Sequence, residues 1–335
     1  MTTKFKNLIE LTAYFKSEAK CIEHLEQLRW ANGRYCPHCA SVKTYQCKQA
    51  GKYICGDCKQ RFSVTKGTFF ENTKIPLSKW FVAMYLCFSH KKGISSCQLA
   101  RDLSITQKAA WHVLHRIRSL VVANAPDMLW KGMVEADATF IGGKEKWKHA
   151  DKKVRKDGQF GGNSGYAATA DKTAVFGMVE RGGNVVTKHV ASEKKENVQD
   201  YIFEYVSKSA RLITDEHHAY RDLKKKYRKH QLINHSEKQY VVGDVHTNTI
   251  ENYWSVLKRT IHGTYHQVSA KHIAKYLNES AFRYNTRTQT EQQRFDLAVS
   301  KCANGRLTYK TLINNENRPG AIPKGKSFSK IVGGK

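Results

Sequence analysis

For its size, this chain is short of acid. Twenty-nine Asp and Glu stand against 57 Lys and Arg in 335 residues, a formal net charge of +28 at pH 7. So large an excess of base argues for a polyanionic partner, because cationic surface is attracted to phosphates and gains from the counterions they release. Long apolar runs are also missing. The longest, WFVAMYLCF at 80–88, falls far short of the roughly 20 residues that a membrane-spanning helix needs. No long basic amphipathic helix offers itself to an anionic bilayer, so no membrane partner is expected. The opening MTTKFKNLIELTAYFK has neither an apolar h-region nor a small-residue cleavage site. The expectation is a soluble, cytoplasmic protein. Nine cysteines are too few for a disulfide scaffold in a chain this long. What is present, 40% hydrophobic and 11% aromatic residues, suffices for two or three folded domains.

Four of the cysteines are paired. After a helical N-terminal segment, residues 1–33, come YCPHC and YICGDC, which place Cys36 with Cys39 and Cys55 with Cys58, fifteen residues between the pairs. Two such turns joined by a hairpin present four soft thiolates in a tetrahedral array, which suits Zn²⁺. With all four positions filled by thiolates, no site is left for water, so the zinc is expected to be structural and the ribbon to span 34–66. Cys21, Cys47, Cys87, Cys97 and Cys302 lack a partner at ligand spacing and read as packed thiols.

Pro76 opens a helix with an apolar face at Trp80, Met84, Cys87 and Phe88. ISSCQLARDLSITQKAAWHVLHRIR then reads as two helices joined by a tight turn, with Thr106 as N-cap of the second. This is the helix-turn-helix shape, placed at 74–122. Its second helix would turn Gln107, Lys108, His112 and Arg116 toward the DNA major groove; a plain three-helix packing unit is the other reading.

From residue 129 the periodicity changes to short β-type runs with glycine turns between them. WKGMVEADATFIGG, AVFGMVERGG and NVVTKHVAS read as a strand meander, ENVQDYIFEYVSKSA as a helix and RLITDEHHAY as a further strand. Helices near 246–263 and 270–287 complete a mixed α/β domain over 129–290. A basic, glycine-rich stretch at 142–165 reads as an extended loop, and the basic 303–335 as a tail without periodicity.

In so basic a chain, acids at the ends of apolar strands need a reason. Asp137 follows Met133 and Val134, and Asp215 follows Leu212 and Ile213. If these strands are neighbours, both carboxylates reach one edge of the sheet, and Glu251 in HTNTIENYWSVLKRTIHG is the candidate third. Three convergent carboxylates suit a pair of Mg²⁺ (or Mn²⁺) ions for in-line attack on phosphorus. Asn248, Glu251, Ser255 and Lys258 fall near one helical face, which lets Lys258 reach a DNA phosphate. The competing reading makes Glu251 a capping-box partner of Asn248.

CPHC, CGDCKQRFSVTKGTFFENTKIPLSKW, VEADATFIGGK, LITDEHHAY and HTNTIENYWSVLKRTIHGTYHQVSAKHIAKYLNESAFRYNTR, in this order over about residues 15–290, resemble a zinc-ribbon branch of the bacterial DDE insertion-sequence transposases. The group is the one numbered fifteen-ninety-five among insertion-sequence families, with an ISXO-type transposase domain. The resemblance implies a ribonuclease-H-like, mixed-sheet catalytic domain preceded by a zinc ribbon and a helix-turn-helix. It implies an enzyme that binds the terminal inverted repeats of double-stranded DNA, cuts them and joins them to target DNA, acting as a homodimer or larger on DNA. Asp137 and Asp215 become the first two catalytic acids. The family brings a Glu, or in some branches an Asn, at the third position with a Lys downstream. Glu251 with Lys258 fits the first version, and Asn248 and Asn252 keep the second open. One departure stands out: the residue after the first Asp is often acidic in this group, and here it is Ala138. That leaves a non-enzymatic DNA-binding regulator, or an inactive copy on the same scaffold, as the alternative. A repair or junction nuclease on this fold accounts for the acids but not for both DNA-reading modules.

Overall fold

Side-chain caps set most of the helix boundaries in the N-terminal third of the chain. Asn7 opens α1 (Leu8–Tyr14), Ser17 opens α2 (Glu18–Arg29), Ser95 opens α4 (Ser96–Leu103) and Thr106 opens α5 (Gln107–Leu120), each accepting a backbone N–H with its side-chain oxygen. Between them, α3 (Leu77–Ser89) begins at Pro76 with no side-chain cap of its own. Glu18 supplies one from α2: its carboxylate accepts the Leu77 N–H at 3.0 and 3.1 Å.

The computed structural model describes residues 4–122, 128–142, 172–234, 237 and 241–303. The loop and tail expected at 142–165 and 303–335 lie outside the described residues, apart from Gly142 and Ala303. Two compact units emerge, one built from the described residues up to Val122 together with those from Thr286 onward, the other from those between. Among the described residues, no helix is long and apolar enough to cross a membrane.

In the first unit α3 is the central helix, burying Trp80, Phe81, Met84 and Phe88. A helix that the sequence pattern did not disclose, α9 (Glu291–Ser300), opens on a capping box of Thr290 and Gln293 and packs against it. Phe295 of α9 meets Phe81 edge-on at 5.4 Å and Phe5 at 5.4 Å, and Arg294 donates to the Phe88 carbonyl at 3.0 Å. The expected hairpin is a three-stranded antiparallel sheet of β1 (Thr44–Gln46), β2 (Lys52–Cys55) and β3 (Arg61–Ser63). Its Tyr53 packs edge-on against Trp30 at the end of α2.

The second unit is a five-stranded sheet. Its strands are β4 (Met133–Ile141), β5 (Thr173–Glu180), β6 (Val185–His189), β7 (Arg211–Asp215) and β8 (Lys229–Ile233), in the order β6-β5-β4-β7-β8. β4, β5 and β6 run antiparallel, while β7 and β8 lie parallel to β4. β8 lies between the expected strand that carries Asp215 and the helix near 246–263, where the sequence shows only a polar, basic connection. It is an edge strand, and Lys229, Gln231 and Leu232 are not buried, so no apolar run marks it. Side-chain alternation gives the sheet two covered faces. Val134 and Ala136 point to α6 (Lys195–Tyr205), with Phe176, Leu212 and Tyr220 in the same cluster. Ile141, Val175 and Val179 point to α7 (Asn248–Thr260) and α8 (Ile273–Asn285), meeting Ile250, Trp254, Leu257 and Leu277. Mixed α/β architecture with a cysteine-bearing ribbon is thus what the chain adopts.

Candidate functional site

Two constellations carry chemistry, one in each unit. In the ribbon, Cys36 and Cys39 sit on one turn, and Cys55 and Cys58 flank the β2–β3 connection. Their four Sγ atoms all lie within 4.8 Å of one another. Cys36 and Cys58 sulfurs are 3.7 Å apart, and those of Cys39 and Cys55 3.5 Å. Zn–S bonds of about 2.3 Å in a tetrahedron put sulfurs roughly 3.8 Å apart, close to the two separations above, so the quartet suits Zn²⁺. Each turn ends on a left-handed residue, Ala40 at φ 63° and Lys59 at φ 56°. The peptide N–H groups of Cys58 and Asp57 favour the thiolate of Cys55 and bring its pKa down to about 6. Of the remaining cysteines, Cys21, Cys87 and Cys302 are buried as expected, whereas Cys97 is exposed.

The carboxylates meet in the second unit. β4 and β7 pair in parallel register, Glu135 opposite Ile213 and Ala136 opposite Thr214. The next residue on each strand is the candidate acid, so Asp137 and Asp215 stand side by side. Both fall on the sheet face that α7 covers, by the alternation that sends Ala136 and Leu212 the other way. Burial, then the charge of Asp215, push the Asp137 carboxyl up to about 7; Glu251 adds to the rise, and the Trp254 indole opposes it. Trp254 Nε1 donates to Asp137 Oδ2 at 3.0 Å, and the His217 N–H donates to Asp215 Oδ1 at 3.1 Å. Among the described residues, no three carboxylates are gathered as tightly as the cysteine quartet. Like charges hold apart where no cation compensates them. Two neighbouring carboxylates, one of them made this costly to ionise by burial and by the other's charge, are a donor set suited to a hard divalent ion.

Glu251 lies in the first turn of α7, exposed, one helical turn from Trp254. The N-cap is Thr247, not Asn248, and the capping box considered from sequence does not form. Instead the Thr247 hydroxyl donates to Glu251 Oε1 at 2.7 Å. Asn248, Asn252 and Ser255 are exposed and Lys258 half-buried, on the face that α7 turns away from Ile250, Tyr253 and Leu257.

The free amides of α7 are held by Glu135, which the sequence reading passed over. This fully buried carboxylate accepts the N–H groups of Thr249 and Ile250 at 2.8 and 3.0 Å and the Thr249 hydroxyl at 2.9 Å. Arg181 Nε donates to it at 2.6 Å. Its position two residues before Asp137 was the available signal, since period two puts both on one face. Ala138 points the other way, packed against the α6-side cluster.

On α5, Gln107 and Lys108 are exposed, and Gln107 donates to Ser96 Oγ at 2.9 Å. His112 is half-buried, and burial lowers its pKa. Arg116 is buried: its guanidinium lies over the rings of Phe69 and Trp80 and donates to the Phe69 carbonyl. It is turned into its own unit rather than outward like Gln107 and Lys108.

The comparisons with known proteins agree with this division. The family model for the transposase zinc-ribbon domain matches residues 16–61, and that for the ISXO2-like transposase domain matches residues 130–285. A protein described as an uncharacterized protein in transposable element ISH50, from Halobacterium salinarum, is 28% identical over 277 residues, covering 80% of this chain and 91% of that protein. With both domain types in order and more than half of its residues matched, the chain belongs to the family of ISXO2-like insertion-sequence transposases that carry a zinc ribbon.

Proposed function

We propose that the protein is a metal-dependent DNA transposase that binds the terminal inverted repeats of an insertion sequence, cleaves them and transfers the strand to target DNA. The observation that carries this reading is the juxtaposition of Asp137 and Asp215 on the neighbouring inner strands β4 and β7 and on one face of the sheet, with Glu251 close by on α7. The strand order, with three antiparallel strands followed by two parallel ones, supports a ribonuclease-H-like catalytic domain. A pair of Mg²⁺ or Mn²⁺ ions would supply an activated water or 3′-hydroxyl and stabilise the leaving oxygen of an in-line displacement. Asp137, Asp215 and Glu251 would hold them. Trp254 fixes the orientation of the Asp137 carboxylate, and the His217 amide that of Asp215. Lys258 would bind a phosphate of the DNA strand, with Asn248 and Asn252 on the same helix lining its path. Zn²⁺ on Cys36, Cys39, Cys55 and Cys58 would order the ribbon. In this reading α4 and α5 form the helix-turn-helix, and Gln107, Lys108 and His112 face DNA. Arg116 stiffens the base of α5 instead. Bringing two transposon ends together calls for at least a homodimer on DNA, in the cytoplasm where the DNA lies.

Ala138 no longer favours an inactive copy, because its side chain lies on the sheet face away from the acids. The test is strand cleavage and joining on a labelled terminal-repeat duplex with Mg²⁺. The natural chain is expected to cut. Asp137→Asn, Asp215→Asn and Glu251→Gln should lose at least a thousandfold in rate while retaining repeat binding, and Asn248→Ala should cut normally. Binding without any cleavage by the natural chain would return the regulator reading. Loss of repeat binding in the Asp variants would sink the assignment of roles.

A further inference from the structure

The acids of the proposed site come from elements that the chain joins by long detours, and something must fix α7 against β4. We propose that Glu135 is that positioning residue: a buried carboxylate, clamped by Arg181, that sets the place of Glu251 relative to Asp137. The inference rests on the transposase reading for its consequence, but its geometry is independent of it.

The carboxylate of Glu135 is saturated. Oε1 accepts from Arg181 Nε at 2.6 Å and from the Thr249 hydroxyl at 2.9 Å, and Oε2 accepts from the amides of Thr249 and Ile250 at 2.8 and 3.0 Å. With two donors on each oxygen it has no lone pair directed elsewhere. That excludes it as a further metal ligand in this arrangement and leaves it a structural anion. A buried carboxylate at a helix N-terminus satisfies donors that the helix cannot satisfy itself and complements the helix dipole. No side chain within α7 does this work, because the Thr247 cap makes no bond to a backbone amide.

Arg181 extends the clamp along the segment leading into α7. Besides Glu135, it donates to the carbonyls of Asp244 and His246 at 2.6 and 2.8 Å, and it lies 3.0 Å from His246 Nδ1. Arg211, at the start of β7, holds the Asp244 carboxylate. The lead-in to α7 is thereby tied to β4 through Glu135, to the β5–β6 turn through Arg181 and to β7 through Arg211. Glu251 follows the second clamped amide directly, and Asp137 follows Glu135 by one strand repeat. The two acids thus share a rigid connection of a few bonds that by-passes more than a hundred residues of chain. Ligand geometry held from behind in this way is what governs metal affinity at such sites.

The experiment compares the natural chain with Glu135→Gln, Glu135→Asp and Arg181→Lys, each first shown to melt cooperatively and to bind the terminal-repeat duplex. Two readouts do not depend on catalysis: backbone amide exchange at Thr249 and Ile250, and Mn²⁺ affinity from the loss of free-ion EPR signal. A third is the Mg²⁺ concentration for half-maximal cleavage. In Glu135→Gln, exchange at the two amides should quicken at least tenfold. Mn²⁺ should bind about tenfold more weakly, and the Mg²⁺ midpoint should rise in step, with partial recovery in Glu135→Asp. Faster exchange with unchanged Mn²⁺ affinity reduces Glu135 to a cap and overturns the proposal, as does unchanged exchange. If Glu135→Gln does not melt cooperatively, Arg181→Lys decides by the same two readouts. If the natural chain binds Mn²⁺ but never cleaves, the transposase reading fails while the clamp is still judged by exchange and affinity.

Discussion

Asp137 has a folded-state pKa of about 7 against its ordinary 3.8. The folded chain therefore binds this proton more tightly than the unfolded chain does. Its contribution to stability is complete below pH 3.8 and is lost as the pH rises through about 7. Asp137→Asn removes that loss while keeping an acceptor for Trp254. Calorimetry without divalent ions should find the variant melting roughly 5 °C or more above the natural chain at pH 8, with little difference at pH 4. Adding Mg²⁺ at pH 8 should raise the natural chain and leave the variant unmoved; equal response would remove Asp137 from the metal site. Gly177 faces Asp137 across the β4–β5 ladder, and there the Trp254 ring occupies the space of a side chain. A Cβ would lie 2.5 Å from Trp254 Cη2. Gly177→Ala must push the indole away from the Asp137 carboxylate. Thermal melts should register about 1–3 kcal/mol of overpacking, and cleavage should fall at least tenfold beyond what the unfolded fraction explains. Activity that tracks the folded fraction alone would show the indole bond to be dispensable.

Elements were legible where their instructions are local. The CxxC spacing, the Thr106 cap and the short β-type runs around Asp137 and Asp215 each act over a few residues, and each reads directly from the chain. What escaped depends on partners distant in sequence. β8 is a strand because β7 offers it a hydrogen-bonding edge, and α9 is placed by Phe5, Phe15 and Phe81. Helices α3 and α7 both lack a side-chain cap of their own and borrow a carboxylate from elsewhere, Glu18 and Glu135. The ribbon is the element most dependent on a bound ion, since strands of three and four residues cannot hold together alone. Atomic absorption should find one zinc per natural chain and far less in Cys58→Ser. Protease should cut the variant or chelated protein within 34–66 at least tenfold faster. Equal resistance with the metal removed would show the sheet to be self-supporting.

At the scale of the molecule, charge and connectivity matter most. With +28 on 335 residues, repeat binding should weaken steeply with salt. If six or more phosphates are neutralised, affinity falls about a thousandfold or more between 50 and 200 mM salt. Fluorescence anisotropy over that range measures the slope, and a nearly flat dependence would mean that the basic surface is not the DNA-binding surface. Connectivity has a consequence for synthesis. The unit that holds the ribbon and α3 is finished by α9, so the acid-bearing unit is an insertion between its two parts. A ribosome adding roughly 5–20 residues per second takes on the order of ten seconds to pass from Val122 to Thr286. By the end of that interval the inserted unit has all its strands, while Phe81 and Phe5 still await Phe295. The module proposed to grip the repeats therefore closes after the module proposed to cut them. A chain released early, before residue 290, leaves the ribosome with Asp137, Asp215 and Glu251 all present but without α9 to finish the first unit.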